Sequence, residues 1–271
     1  MRILFCGDIV GRSGRDVVVQ EIPKLREAYA IDFVIANGEN AAHGFGISAN
    51  ICKDLYAAGV DVITTGNHVW DHKDIMASID QDKRLLRPLN YPATAPGRGY
   101  TLINTTTNNQ PVLVMNAMGR LFMDPLDDPF RAVDEVLARH PLGQAAAAII
   151  LDFHGEASSE KMVMGHFCDG RVSLVVGTHT HIPTADAQIL SKGTGYQTDA
   201  GMCGDYDSVI GMEKDVPIMR MTRKTPTARM KPAQGPGTFC GTFIETDDQT
   251  GLTVRIKAVR VGPRLEQSLP D

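Results

Sequence analysis

No Cys-x-x-Cys pair occurs anywhere in the chain, and its cysteines, Cys6, Cys52, Cys168, Cys203 and Cys240, are odd in number and widely scattered. That excludes a zinc ribbon and a disulfide framework, and it fits a reducing compartment. No apolar run reaches the length of a membrane span. The first apolar stretch carries one basic residue and stops at Asp8, too short and too early for a secretory signal, so the cytoplasm is the expected location. An excess of basic residues is also missing, since 27 Lys and Arg stand against 32 Asp and Glu for a net charge of −5. A nucleic-acid surface needs clustered cations to replace counterions, so no stable nucleic-acid partner is expected. Small anions stay within reach, because bound metal ions can make a pocket locally positive inside an acidic protein.

Low-complexity tracts, internal repeats and linker-like shifts in composition are absent as well, and 43% apolar with 22% charged residues over 271 positions is ordinary for a sizeable globular core. Hydrophobic periodicity predicts a strand at 2–8, a helix at 11–29 interrupted by Pro23, a strand at 32–36, and a glycine-rich loop at 37–46. A helix at 48–58 with Ser48 as N-cap and a strand at 60–65 complete a βαβαβ opening. Shorter extended pieces near Leu85, at 100–104 and at 112–116 precede a helix at 129–140 and an apolar strand at 146–153. A helix at 158–168, a strand at 172–177 and a β-hairpin of 239–245 with 252–261 follow. The first half alternates like a parallel α/β sheet and the second ends in antiparallel structure. One mixed α/β domain with two packed sheets over residues 1–262, plus a loose tail at 263–271, is the expected organisation.

In open α/β sheets the chemistry gathers at the carboxyl ends of strands, where loops are free and helix N-termini present their amides. Five predicted strand ends carry metal-ligand residue types: Asp8, then Glu39 and Asn40, then Asn67 and His68, then His154, then His179 and His181. A single Asp after a strand is more often a helix cap, and a single His in an apolar run is as often a satisfied core residue. The joint recurrence favours ligands. Oxygen and imidazole donors suit hard or borderline cations, and a carboxylate can bridge two of them. The His179-Thr180-His181 pair projects alternate side chains to one side of an extended chain. Asn67 can coordinate through its oxygen while its neighbour His68 is free to handle a proton.

Other candidates read as less informative. His72, His140 and His166 are expected to be structural, His140 as a cation at a helix C-terminus. His43 is either a substrate contact or a solvated loop residue. The first loop spaces its glycines as G-x-x-x-G-x-x-G, which is not a dinucleotide fingerprint, and it sets an acid where a pyrophosphate would approach. The segment 217–235 holds Arg220, Arg223, Lys224, Arg229 and Lys231 without an acidic residue, which reads as a solvated loop or as a flap or subunit contact near an anionic substrate.

Asp8, the Asn37-Gly38-Glu39-Asn40 block, Gly66-Asn67-His68, His154 and Gly177-Thr178-His179-Thr180-His181 stand in the order D-x-H, G-D, G-N-H, H, G-H-x-H. In this the chain resembles the calcineurin-like metallophosphoesterase superfamily. Val10 occupies the place of the D-x-H histidine and Glu39 that of the usual bridging aspartate. Those departures, with the runs 7–15, 37–44, 66–71 and 198–204, make the chain similar to the YmdB-type bacterial branch. The resemblance implies a four-layer αββα sandwich, with Asp8, Glu39, Asn40 and His181 around one metal ion and Glu39, Asn67, His154 and His179 around another. It implies iron first, with manganese or zinc as alternatives, and hydrolysis of phosphodiesters such as 2′,3′-cyclic nucleotides with His68 as general acid. The ligand set would equally serve a phosphomonoesterase or 5′-nucleotidase, or a regulator that binds metal or nucleotide without turnover. An amidohydrolase barrel ranks last, because eight regular βα repeats are missing. The expected partner is a small phosphate ester, with no membrane and with a homo-oligomer left open.

Overall fold

Four strands of this chain are apolar on both faces because both faces are covered. Arg2–Cys6 (β1), Phe33–Asn37 (β3), Ala148–His154 (β7) and Leu174–Thr178 (β8) are buried along their lengths, except at Arg2. Such continuous runs are what parallel strands inside layered α/β folds require. The computed structural model describes residues 1–270. One sheet has the order β13-β12-β1-β3-β4, adding Val62–Thr64 (β4), Phe239–Thr246 (β12) and Thr253–Val261 (β13) to the central pair. The other runs β5-β6-β7-β8-β10-β9, through Tyr100–Asn104 (β5), Pro111–Met118 (β6), Gln188–Ile189 (β9) and Gly195–Gln197 (β10). A third, two-stranded pairing joins Asp8–Ile9 (β2) to Met202–Cys203 (β11) in parallel.

Three apolar clusters separate the layers. Ile3, Phe5, Phe33, Ile35 and Val62 of one sheet meet Val112, Val114, Ile150, Leu174 and Val176 of the other in the middle core. Helices Gly11–Tyr29 (α1) and Ala49–Ala57 (α2) place Val18, Ile22, Cys52 and Leu55 against the outer side of the first sheet. Helices Pro129–Arg139 (α3) and Ser158–Cys168 (α4) do the same for the second with Val133, Val136, Met164 and Cys168. The result is the αββα sandwich. Ser48 caps α2 by accepting from the Ile51 amide at 3.3 Å, and Asp128 caps α3 from Phe130 at 2.9 Å.

Two expectations are corrected. The segment 217–235 is not a loop throughout, because Asp215–Arg223 forms a helix (α5) that ends with Lys224 in the left-handed region. The tail is not loose over its described part: Ser268 and Arg260 exchange backbone hydrogen bonds at 2.8 and 3.0 Å, and Leu269 packs on the core, while Asp271 lies outside the described residues. The short strands β2, β9, β10 and β11 had no legible signal, since pieces of two or three residues show no period.

Candidate metal centre

Parallel register sets the centre. In β7 and β8, His154 and Thr178 are side-by-side partners, so both strands end at one level, with His154 the last residue of β7 and His179 the first residue after β8. Asp8 follows β1 and pairs with Met202, while Glu39 and Asn40 leave β3 and Asn67 leaves the region after β4. All seven sequence candidates converge. Glu39, His154 and His179 offer donor atoms within 4.8 Å of one another, and so do Asp8, Glu39 and His181. Glu39 is common to both groups, as a bridging carboxylate would be.

The hydrogen-bond pattern tests whether a cation fits. His154 Nε2 has three acceptor atoms around it: Asn67 Oδ1 at 3.0 Å, Glu39 Oε2 at 3.1 Å and His179 Nδ1 at 3.1 Å. One proton cannot satisfy three acceptors, whereas a metal ion in their midst takes a lone pair from each. The second group repeats the pattern. His181 Nδ1 donates to the Ile210 carbonyl at 2.8 Å, so its Nε2 is a lone pair, and it faces the Asn40 Oδ1 acceptor at 3.1 Å. The Asn40 amide is oriented by donating through Nδ2 to the Gly44 carbonyl at 3.1 Å. Asp8 Oδ1 is buried with no hydrogen-bond partner among the described residues, a costly state for a carboxylate that a cation would relieve. Gly66 leaves the space open: a Cβ there would lie 2.3 Å from both Glu39 Oε2 and His154 Nε2. The donor set and the room both fit metal ions.

Residues behind the donors hold their tautomers. Thr178 Oγ1 donates to Asp152 Oδ1 at 2.7 Å and so accepts from His154 Nδ1 at 2.9 Å, which leaves Nε2 free to ligate. Asp152, fully buried between the sheets, also accepts from Thr64 Oγ1 at 2.5 Å and Asn37 Nδ2 at 2.9 Å. His179 Nε2 lies 3.2 Å from Glu156, which turns Nδ1 toward His154. The His179 and His181 backbones sit at φ of 97° and 66°. Such left-handed geometry costs about 1 to 3 kcal/mol per non-glycine residue and persists only where neighbours over-determine it. Here the neighbour is Asp199, whose Oδ2 accepts from Thr180 N at 3.1 Å, Thr180 Oγ1 at 2.7 Å and Lys161 Nζ at 2.8 Å. Gly177 permits this approach, since a Cβ on it would meet the Thr198 carbonyl and the Lys161 side chain.

Electrostatics favour neutral imidazoles at His179 and His181 and a charged one at His154. Burial and the neighbouring His154 push the His179 imidazole down to about 3, and burial also lowers His181. Burial opposes ionisation of Glu39, yet His154, His68 and His179 outweigh it and hold the carboxyl at about 2. For His154, burial works against charge, but Glu39, Asp8 and Asp152 prevail and raise it to about 9. Burial, reinforced by Asp199, Glu39 and Asp152, pushes Asp8 well above the usual carboxylate range against the pull of His154. The four acids therefore demand positive charge at their centre.

His68 lies beside the groups and not within them. Its backbone N donates to Glu39 Oε2 at 3.3 Å, its ring Nδ1 pairs with Asp71 at 2.8 Å, and its Nε2 has no hydrogen-bond partner among the described residues. His43 stands apart on an exposed loop at φ 55°. His166 is exposed on α4, His140 ends α3 against the Tyr100 ring, and His72 precedes a 3-10 turn, where it pairs with Asp74. The sequence reading missed Asn37, Thr64, Asp152, Glu156, Lys161, Thr178 and Asp199. Two of these had a signal: Asp152 interrupts an apolar strand, and Lys161 shares the buried face of α4 with Met164, Gly165 and Cys168.

A sandwich whose central strand ends deliver two oxygen and imidazole groups sharing one carboxylate defines the metallophosphoesterase class, and this chain falls in it. The YmdB-like protein family matches residues 4–259, so the chain belongs to that family. It is 46% identical over 261 residues to the 2′,3′-cyclic-nucleotide 2′-phosphodiesterase of Bacillus subtilis, covering 96% of this chain and 97% of that one. A crystal structure of a hypothetical protein from Thermus thermophilus superposes with a TM-score of 0.89 at 42% identity, over 97% of this chain and 100% of that one. A novel phosphatase from Mycoplasma pneumoniae superposes with a TM-score of 0.89 at 31% identity, over 100% of this chain and 95% of that one.

Proposed function

We propose that this chain is a binuclear metal-dependent phosphodiesterase that opens 2′,3′-cyclic nucleotides at the 2′ oxygen. The convergence of acceptor atoms on His154 Nε2 and His181 Nε2 carries the reading. In it Asp8, Glu39, Asn40 and His181 hold one ion, and Glu39, Asn67, His154 and His179 hold the other. When bound, the ions supply the acidity that ionises water and the positive charge that steadies a phosphoryl group during in-line displacement. Iron is the first choice, with manganese or zinc as alternatives, because the donors are oxygen and imidazole without thiolate.

The chain's own groups do the rest. Water adds to phosphorus with loss of one proton, the bond from phosphorus to the ribose 2′ oxygen breaks, and His68 gives that oxygen its proton and is restored by the proton that water gave up. Asp71, on His68 Nδ1, fixes the ring so that Nε2 is the atom that delivers the proton. His43 is assigned a contact to substrate. Residues 1–262 are treated as one domain, since both sheets contribute to the middle core. Five free buried thiols support a cytoplasmic location.

The test is turnover of adenosine 2′,3′-cyclic phosphate before and after chelation, with elemental analysis of the same preparation and a phosphomonoester as control. Metal-dependent conversion to adenosine 3′-phosphate is expected. Undiminished turnover after complete metal removal, or turnover of the monoester alone, overturns the reading.

A further inference from the structure

Beside His68 the surface sinks into a cavity of about 540 Å³ whose lining includes His43, Phe45, Asp71, Arg229 and Lys231. Three remote pieces of chain build it: the glycine-punctuated loop after β3, the stretch after His68, and the chain that follows α5. Phe45 is the wall between this cavity and the general acid. Its ring stands edge-on to the His68 ring with centroids 5.1 Å apart, and the Arg229 guanidinium carbon lies 5.2 Å from the centroid of the same ring. The Arg229 charge is thus held one aromatic ring away from the group that meets the leaving oxygen.

The charges of the cavity are unbalanced. Arg229 and Lys231 are exposed and have no carboxylate partner among the described residues, a state they share with surface cations such as Lys53 and Lys257, and what sets the two apart is that both line one concave site. No acidic residue occurs from Val216 to Ile244. The acid that lines the cavity, Asp71, is engaged by His68, and the adjoining His72 is engaged by Asp74. Two unpaired cations in a concave site call for an anion, and a guanidinium presents the planar fork that matches a phosphate. The metal centre accounts for one phosphate. A substrate with no other anionic group would leave Arg229 and Lys231 without a counter-charge.

We propose that this cavity is a subsite for a second phosphate of the substrate, on the 5′ side of the nucleoside whose 2′,3′-cyclic phosphate is opened. The proposal rests on the phosphodiesterase reading and goes beyond it. Ribose is the spacer: it separates the scissile group, at the metal centre, from the 5′ phosphate, in the cavity, with Phe45 between. The second phosphate has two sources of the same chemistry, the monoester of a free nucleotide or the diester at the 3′ end of a short oligoribonucleotide.

The experiment compares kcat/KM for three substrates on the metal-loaded enzyme: adenosine 2′,3′-cyclic phosphate, the same compound bearing a 5′-phosphate, and a dinucleotide ending in a 2′,3′-cyclic phosphate. A 5′ phosphate is expected to raise kcat/KM roughly tenfold at low ionic strength, mainly through KM, and the advantage is expected to shrink with added salt. In the Arg229→Gln, Lys231→Gln double variant the ratio of phosphorylated to plain substrate falls to near one, with thermal unfolding checked for an intact fold. An advantage in the monoester arm alone identifies a free nucleotide, and one in both arms identifies an oligonucleotide end. Equal kcat/KM for all three substrates in the unaltered enzyme refutes the subsite while leaving the phosphodiesterase reading standing. No turnover of any of them refutes that reading instead.

Discussion

Lys161→Met is the most exacting perturbation of this centre, because Lys161 touches no metal donor. Its ammonium is 1% exposed and reaches Asp199 Oδ2 at 2.8 Å. Breaking a buried pair by removing one partner costs about 3 to 5 kcal/mol, since the other charge stays buried. Asp199 keeps three donors, Thr180 N, Thr180 Oγ1 and Gly201 N, so the lower end, about 3 kcal/mol, is expected. For a chain of this size, each kcal/mol moves the unfolding midpoint by about 2 to 4 °C, which gives a fall of roughly 6 to 12 °C in chelated protein. The same Asp199 holds Thr180 between the two histidines proposed as ligands, both in left-handed geometry, so metal affinity should also fall, by roughly 10- to 100-fold, the range seen when a ligand loses its support. Thermal unfolding of chelated Lys161→Met, Asp199→Asn and the double variant measures the first effect. Competition with a chromophoric chelator measures the second. The double variant should recover part of the loss, because no unpaired charge remains. Strictly additive losses, or metal affinity equal to that of the unaltered protein, would refute the coupling.

Four further outcomes follow from the same geometry. His68→Ala should keep both metal ions by elemental analysis and lose roughly 10²- to 10⁴-fold in kcat, and an emptied site would make it a ligand instead. Thr178→Val removes the acceptor that keeps the proton on His154 Nδ1, so metal affinity should drop by roughly 10- to 100-fold with little change in fold by circular dichroism. Gly66→Ala puts a methyl 2.3 Å from Glu39 Oε2 and His154 Nε2 and should abolish occupancy of that group while the folded state survives. The pH response of chelated protein has a definite sign. His154 is raised from 6.5 to about 9, so its contribution to stability is complete below 6.5 and is lost as pH rises through about 9. Glu39 is lowered from 4.5 to about 2, so its contribution is present above 4.5 and is lost as pH falls through about 2. The unfolding midpoint should therefore decline from neutral to alkaline pH in chelated protein, and metal uptake at neutral pH should release a proton, measurable by the buffer dependence of the binding heat. A midpoint that rises over the alkaline range would contradict the assignment.

How much of this was legible in one chain depends on the range of the interaction. The long strands and α1 to α4 carry their own periods, and the caps Ser48 and Asp128 are local chemistry. β2, β9, β10 and β11 exist only because a neighbour pairs with them. Helix α5 escaped because a cationic stretch that contains Pro217 and runs into Thr222, Thr225 and Thr227 resembles a loop in composition, although its proline lies in the first turn, where a helix tolerates it.

By itself the sequence determined the candidate inventory, Asp8, Glu39, Asn40, Asn67, His154, His179 and His181, each near a strand end, because strand ends are marked by local apolar runs and these residue types follow at once. Tertiary structure alone decided that Asn40 meets His181 where Val10 supplies no imidazole, that Asp152 and Thr178 set the His154 tautomer, and that Lys161 braces the histidine loop. Those contacts join residues from 24 to 141 positions apart. Their geometry comes from the stacking of two sheets, which no local pattern encodes.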